Sequence, residues 1–235
     1  MVLQSMRSMI SLCMIFLLVA CQTPQGPSAQ TGEVDSRLTQ SQDVEFFNKS
    51  GWQACAAGAA AGALACLLVN GDHQAICIAA AAIVGCGVGV GANAYLDNQR
   101  KKYASEEQLL AASINDIKAE NQRIENVTAT AKEVIKTDKL TLAQINKDIA
   151  AKVVKKDQVQ KQLKGLDANI VYLRNTIKEM KEHENQWQSV STQIAEDGTK
   201  TKDLNNQIVQ MRKNIGSLQQ ELDSLYEQRT AIKVS

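Results

Sequence analysis

The sequence predicts an all-α protein, a Gly/Ala-rich helical hairpin of membrane type followed by a long coiled-coil stem that ends in an antiparallel helical hairpin. Three observations predict it. Aromatic content is 4% and prolines number two in 235 residues, too few for an ordinary globular core of that length. Gly51 to Tyr95 alternates Gly and Ala with Cys and aliphatics, and its one formal charge is Asp72. From Leu110 onward, apolar residues recur at spacings of three and four.

Residues 1–20 read as a signal segment, with Arg7 ahead of an apolar run from Met9 to Leu18 that is too short to span a bilayer. The run ends in Leu18-Val19-Ala20-Cys21. That ending resembles the lipobox of bacterial lipoproteins, and the resemblance implies a covalent lipid, palmitate included, on Cys21. It also implies sorting to the outer membrane, because Gln22 rather than Asp follows the cysteine. Residues 21–50 hold both prolines, lack sustained periodicity and read as a lipidated, disordered tether. Phe46 and Phe47 are its aromatic pair, expected to pack against the hairpin that follows, with a dip into the lipid interface as the other reading.

Residues 51–95 divide into two apolar runs, Trp52 to Val69 and Gln74 to Tyr95, around the polar turn signal Asn70-Gly71-Asp72-His73. Two helices joined so closely are antiparallel, which brings Trp52 and Tyr95 to one end as candidate membrane-interface aromatics. Gly58 and Gly62 are spaced to strip one helix face, and Gly85, Gly87, Gly89 and Gly91 repeat that spacing in two interleaved pairs. These glycines are the candidate helix-packing and oligomerisation surface. Cys55, Cys66, Cys77 and Cys86 lie within the hairpin; Cys66–Cys77 and Cys55–Cys86 match in height, although rotation favours only the inner bridge, and four buried thiols are the other reading. Six cysteines in all point to an oxidising compartment.

Gly58-Ala-Ala-Ala-Gly62, then Gly87-Val-Gly-Val-Gly91-Ala-Asn-Ala-Tyr95-Leu-Asp97-Asn-Gln99, is similar to the glycine-zipper segment of outer-membrane lipoproteins, including the rickettsial surface-antigen type and those that carry an OmpA-like domain. The resemblance covers roughly residues 1–105. No OmpA-like domain follows, so peptidoglycan binding is not implied.

Residues 96–195 are expected to form one coiled-coil helix: Leu110, Ile114, Ile117, Ile124, Ile135, Leu142, Ile145 and Ile149 share a heptad phase with Val159 through Ile194. Asn121, Asp138, Lys152, Lys156 and Glu184 would be polar layers in that seam. Extended from Asp97 to Ile194, it would reach about 140 Å. The phase breaks at Asp197-Gly198, so residues 196–203 are a turn and residues 204–235 a returning helix.

The chemistry is sparse. His73 falls in a turn, His183 lies between Glu182 and Glu184 and is expected to be solvated, and neither has a second ligand at metal spacing. No cofactor beyond the Cys21 lipid and no metal is expected, and enzymatic activity is not. Charges of both signs are interspersed and the net charge is +1, against a nucleic-acid partner; no small-molecule substrate is indicated. The expected function is a structural outer-membrane lipoprotein that homo-oligomerises through the zipper and projects a periplasmic coiled coil for scaffolding or binding a protein partner. The alternative is a helical pore, or an outer-membrane ring of a secretion system.

Overall fold

A computed structural model describes residues 32–48, 87–153 and 155–232, all within one unit that begins at Gly32. Among the described residues the regular structure is wholly helical, with no strand. The signal segment, Cys21 and most of the Gly/Ala region, with Cys55, Cys66, Cys77, Cys86, Gly58, Gly62, Gly85 and Trp52, lie outside the described residues.

Three long helices form the frame: α4 (Glu106–Ala150), α5 (Lys156–Glu196) and α6 (Lys202–Ala231). Before them come α1 (Ser36–Thr39), α2 (Gln42–Asn48), a 3-10 turn (Gly87–Val90) and α3 (Ala92–Lys102). The polar pairs between helices set their directions. Asn121 meets Gln207, Lys132 meets Ser217 and Lys139 meets Glu221, so numbers rise together and α4 and α6 run parallel. Glu120 meets His183 and Asp138 meets Asn169, so α5 runs back along α4. Ser191 with Asn205, Glu184 with Arg212 and Asp167 with Arg229 show α6 antiparallel to α5.

The single helix expected over 96–195 is therefore replaced by three, the end of α3 with α4 and α5, and the extended 140 Å stem by a bundle whose longest helix spans about 68 Å. The chain stops at 103–105, where the Ser105 hydroxyl caps α4 by accepting the Gln108 N–H, and again at 151–155. The second stop is a Schellman closure: Val153 N–H bonds Asp148 O at 3.1 Å and Lys152 N–H bonds Ile149 O at 3.1 Å. Lys152 occupies the left-handed position, φ +58°, that glycine normally takes. With no Gly or Pro there, the turn carries no sequence signal. Lys152→Gly is expected to raise stability by roughly 0.5–1 kcal/mol by removing that conformational cost, read as a shift in the urea midpoint at unchanged slope.

The core is a continuous apolar seam that includes Ile117, Ile124, Leu142, Leu173, Met180, Trp187, Leu204, Met211 and Leu218, each 1% exposed or less. Each buried Leu, Ile or Met contributes roughly 1.5–3 kcal/mol relative to exposure. The chain turns after Glu196 through Gly198, φ +85°, before α6 begins. α5 passes through Gly165 without interruption.

The tether reading fails for residues 32–48. Asp35 caps α1 by accepting the Arg37 N–H, and Leu38, Val44 and Phe47 are buried, with α1 against α4 and α2 against both α4 and α5. Gly32 abuts the Lys164 backbone carbonyl so closely that a Cβ there would collide with it. Helices of four and seven residues are too short to show periodicity. Tertiary burial, not propensity, orders them.

The last part of the expected hairpin is also reassigned. Residues 87–90 form a 3-10 turn, not a helix continuous with Tyr95, and Gly91 at φ +97° separates that turn from α3. α3 then packs on α5 and α4. With α6 in one groove of the α4/α5 pair, α1, α2, the 3-10 turn and α3 line the other as a fourth, discontinuous layer.

Candidate functional site

That second groove holds the densest polar chemistry of the described residues. Glu120 of α4 is buried, with its side chain 5% exposed. Its Oε1 accepts from His183 Nδ1 at 2.6 Å and its Oε2 from Trp187 Nε1 at 2.9 Å, both on α5. His183 and Trp187 are one helical turn apart, which lets one carboxylate bridge them. Burial disfavours the imidazolium, but the Glu120 charge and hydrogen bond, with Glu179 and Glu182 nearby, outweigh it and hold the His183 pKa above its ordinary value. His183 is thus a buried side chain paired with a carboxylate that favours its protonated form, rather than a solvated one.

Both flanks of the Gly/Ala segment close on this pair. On the N-terminal side, the Phe46 and Phe47 rings stand edge-on to the imidazole at 5.6 and 5.2 Å. The Arg123 guanidinium caps Phe46 at 4.8 Å and lies 3.5 Å from Asp43, whose other oxygen accepts from Asn126. Asn48, the last described residue of this flank, donates to Thr176 Oγ1 at 2.5 Å.

On the C-terminal side, Val88 is buried and the Ala92 N–H donates to Gln186 Oε1 at 2.8 Å. Tyr95 is fully buried, edge-on to Trp187 at 5.2 Å, and donates to Asp116 Oδ2 at 2.7 Å. Gln99 donates to the same Asp116 oxygen at 2.8 Å. Burial holds the Asp116 carboxyl above its usual range against those hydrogen bonds, and burial with the Asp116 charge drives the Tyr95 phenol upward. Tyr95 is a core residue joining α3 to α4. It is not a membrane-belt aromatic, because its ring is enclosed and its hydroxyl is committed to a carboxylate.

Of the glycines singled out from sequence, Gly87 and Gly89 lie in the 3-10 turn, and Gly91 supplies the left-handed backbone that starts α3. The sequence pattern missed Glu120, His183 and Asp116. α5 has neighbours on two sides, so its buried face is wider than a two-position heptad seam and takes in His183, while Glu184 turns to Arg212 at 2.6 Å.

Shallow grooves of about 350 to 430 Å³ run along the bundle, one of them lined by Gly91, Ala92, Gln186 and Gln193. None of these three is lined by histidine or cysteine. Among the described residues no group of three metal-binding side chains gathers, and no helix is long and apolar enough to cross a membrane. What the arrangement can do is clamp: a buried Glu120–His183 pair, roofed by aromatic rings, holds two separate chain segments against α4 and α5. No protein-family model, curated protein or solved structure matches this chain.

Proposed function

We propose that the protein is a structural envelope lipoprotein, lipid-anchored through Cys21 in the outer membrane, whose helical bundle grips the base of a Gly/Ala hairpin that self-associates through its glycine faces. The observation that carries this reading is where the two flanks sit. Asn48 is bonded to Thr176 and Ala92 to Gln186, ten residues apart on α5, so the anchor points stand about 15 Å apart along that helix. Residues 49–86 must leave and return at neighbouring places, as an antiparallel hairpin does. A rigid base that holds such an apolar element by both ends suits a scaffold that presents it to copies of itself. The folded bundle takes the place of the long projecting stem. Its exposed coiled-coil faces are the surfaces for a periplasmic partner.

The test is palmitate labelling and chemical cross-linking in cells making the full chain, Cys21→Ser, or Gly58→Leu/Gly62→Leu. The expected result is labelled, cross-linked oligomers from the full chain in the outer-membrane fraction, no label on Cys21→Ser, and labelled monomers from the double glycine variant. Label that persists without Cys21, or cross-links indifferent to Gly58 and Gly62, would refute the reading.

A further inference from the structure

We propose that the turn between α4 and α5 is a membrane-contact tip, which sets the bundle against the anionic phospholipid headgroups of the bilayer that holds the lipid anchor. This goes beyond the reading above and takes only the position of the anchor from it. Residues 147–164 carry six lysines (147, 152, 155, 156, 161 and 164) and two aspartates, of which Asp148 accepts from Gln144 at 2.7 Å. Lys147, Lys152, Lys155 and Lys156 are exposed and have no ion pair among the described residues. The opposite end of the bundle is balanced, five cations against five carboxylates over 100–107 and 196–203. The charge is therefore confined to one end.

Four further features select the occupant. Val153, at the apex among these lysines, is 63% exposed, an apolar side chain set among cations. Lys152 holds the left-handed backbone position that glycine fills at lower cost, so the chain keeps a cation there against its conformational preference. The chain also enters the bundle near this end: Gly32 lies against Lys164, two turns of α5 from Lys156. Ten residues lie between Cys21 and Gly32, so the chain from a lipid on Cys21 to this end of the bundle can reach at most about 40 Å, less than the length of α4. Lysine without arginine fits mobile headgroup phosphates, to which it offers a hydrated point charge rather than a fixed fork. Val153 is placed to enter the interface between them.

The experiment uses the full chain carrying Cys21→Ser, so that no attached lipid contributes, and compares flotation with vesicles of neutral phosphatidylcholine and with vesicles containing 30 mol% phosphatidylglycerol, about the anionic share of a charged leaflet. The ratio of the two binding constants is the readout, since apolar association enters both alike. The expected ratio is about tenfold or more, falling towards one in 0.5 M salt, roughly a 4 Å screening length, and in Lys152→Gly/Lys155→Gln/Lys156→Gln. Lys152→Gly alone keeps or raises the melting temperature while lowering the ratio, which separates loss of contact from loss of fold. A wild-type ratio near one, or a ratio unchanged in the triple variant, overturns the proposal. Salt-sensitive capture of polyglutamate with no vesicle preference overturns it in favour of an acidic protein partner. Because the protein tested is unlipidated, failure here leaves the Cys21 labelling result standing, and the converse holds.

Discussion

Replacing Glu120 by Gln is expected to lower stability by about 2–4 kcal/mol at pH 6. The carboxylate faces the buried His183 imidazole at 2.6 Å, where it favours the protonated ring, and accepts from Trp187 at 2.9 Å. Removing one partner of a buried pair strands the other, a loss of order 3–5 kcal/mol, of which the amide oxygen recovers a part by still accepting from the indole. The His183 pKa is raised in the folded state, so the stability it contributes is fully present below the unfolded value of 6.5 and is lost as pH rises through the raised one. The penalty of Glu120→Gln should therefore shrink above that value. Urea unfolding followed by helical circular dichroism at pH 6 and pH 9 measures both; a penalty equal at the two pH values would show that the pair is not ionised.

Asp138→Asn should act in the opposite direction. Burial pushes the Asp138 carboxyl up to about 6, with the Asp35 charge adding to this and Asn169 and Arg37 opposing it. A raised carboxyl pKa means that the folded state holds the proton more tightly than the unfolded chain. Its stabilising contribution is complete below about 3.8 and is lost as pH rises through 6. The interval between those two values sets a ceiling near ~3 kcal/mol, and solvent screening at this partly open site lowers the expectation to about 1–2 kcal/mol. The amide keeps the hydrogen bond from Asn169 Nδ2, 3.0 Å in the native protein, without carrying a buried charge. Asp138→Asn is thus expected to match the native protein at pH 4 and exceed it at pH 8. A variant less stable at both would mean that the attraction of Arg37 outweighs burial.

These two sites also mark where the sequence could and could not be read. Asp138 and Asn121 fell on the heptad phase, so their place in the seam was legible, and so were the helical character of the long apolar-spaced segments and the turn at Asp197-Gly198. The break at 151–155 was not. The five-residue turn restores the same arithmetic phase on its far side, and its stop is a left-handed lysine with no sequence mark. His183 was missed because a helix packed on two sides buries more than two positions in seven. Tyr95 was misplaced because an aromatic residue that ends an apolar run gives the same pattern in a membrane belt and in a core. Deciding between them requires Asp116, twenty-one residues away. The docking of 32–48 rests on Leu38, Val44 and Phe47, three buried side chains in two helices that span too few turns for a period to emerge.

The divided fourth layer makes the bundle a thermodynamic reporter on the segment it encloses. To seat both Phe47 and Tyr95, the native state must bring together the two ends of the 38 residues from 49 to 86, and joining the ends of a chain that long costs about 3 kcal/mol of entropy where nothing else holds them. Whatever holds those two ends together, whether a lipid bilayer or a second copy of the chain, removes part of this cost and tightens the seal over Glu120 and His183. Reciprocity then requires that a firmer seal favours that joining by the same free energy. If the chain self-associates as proposed, that association and bundle stability form one coupled equilibrium, and Glu120→Gln, far from any glycine, is expected to weaken the oligomers.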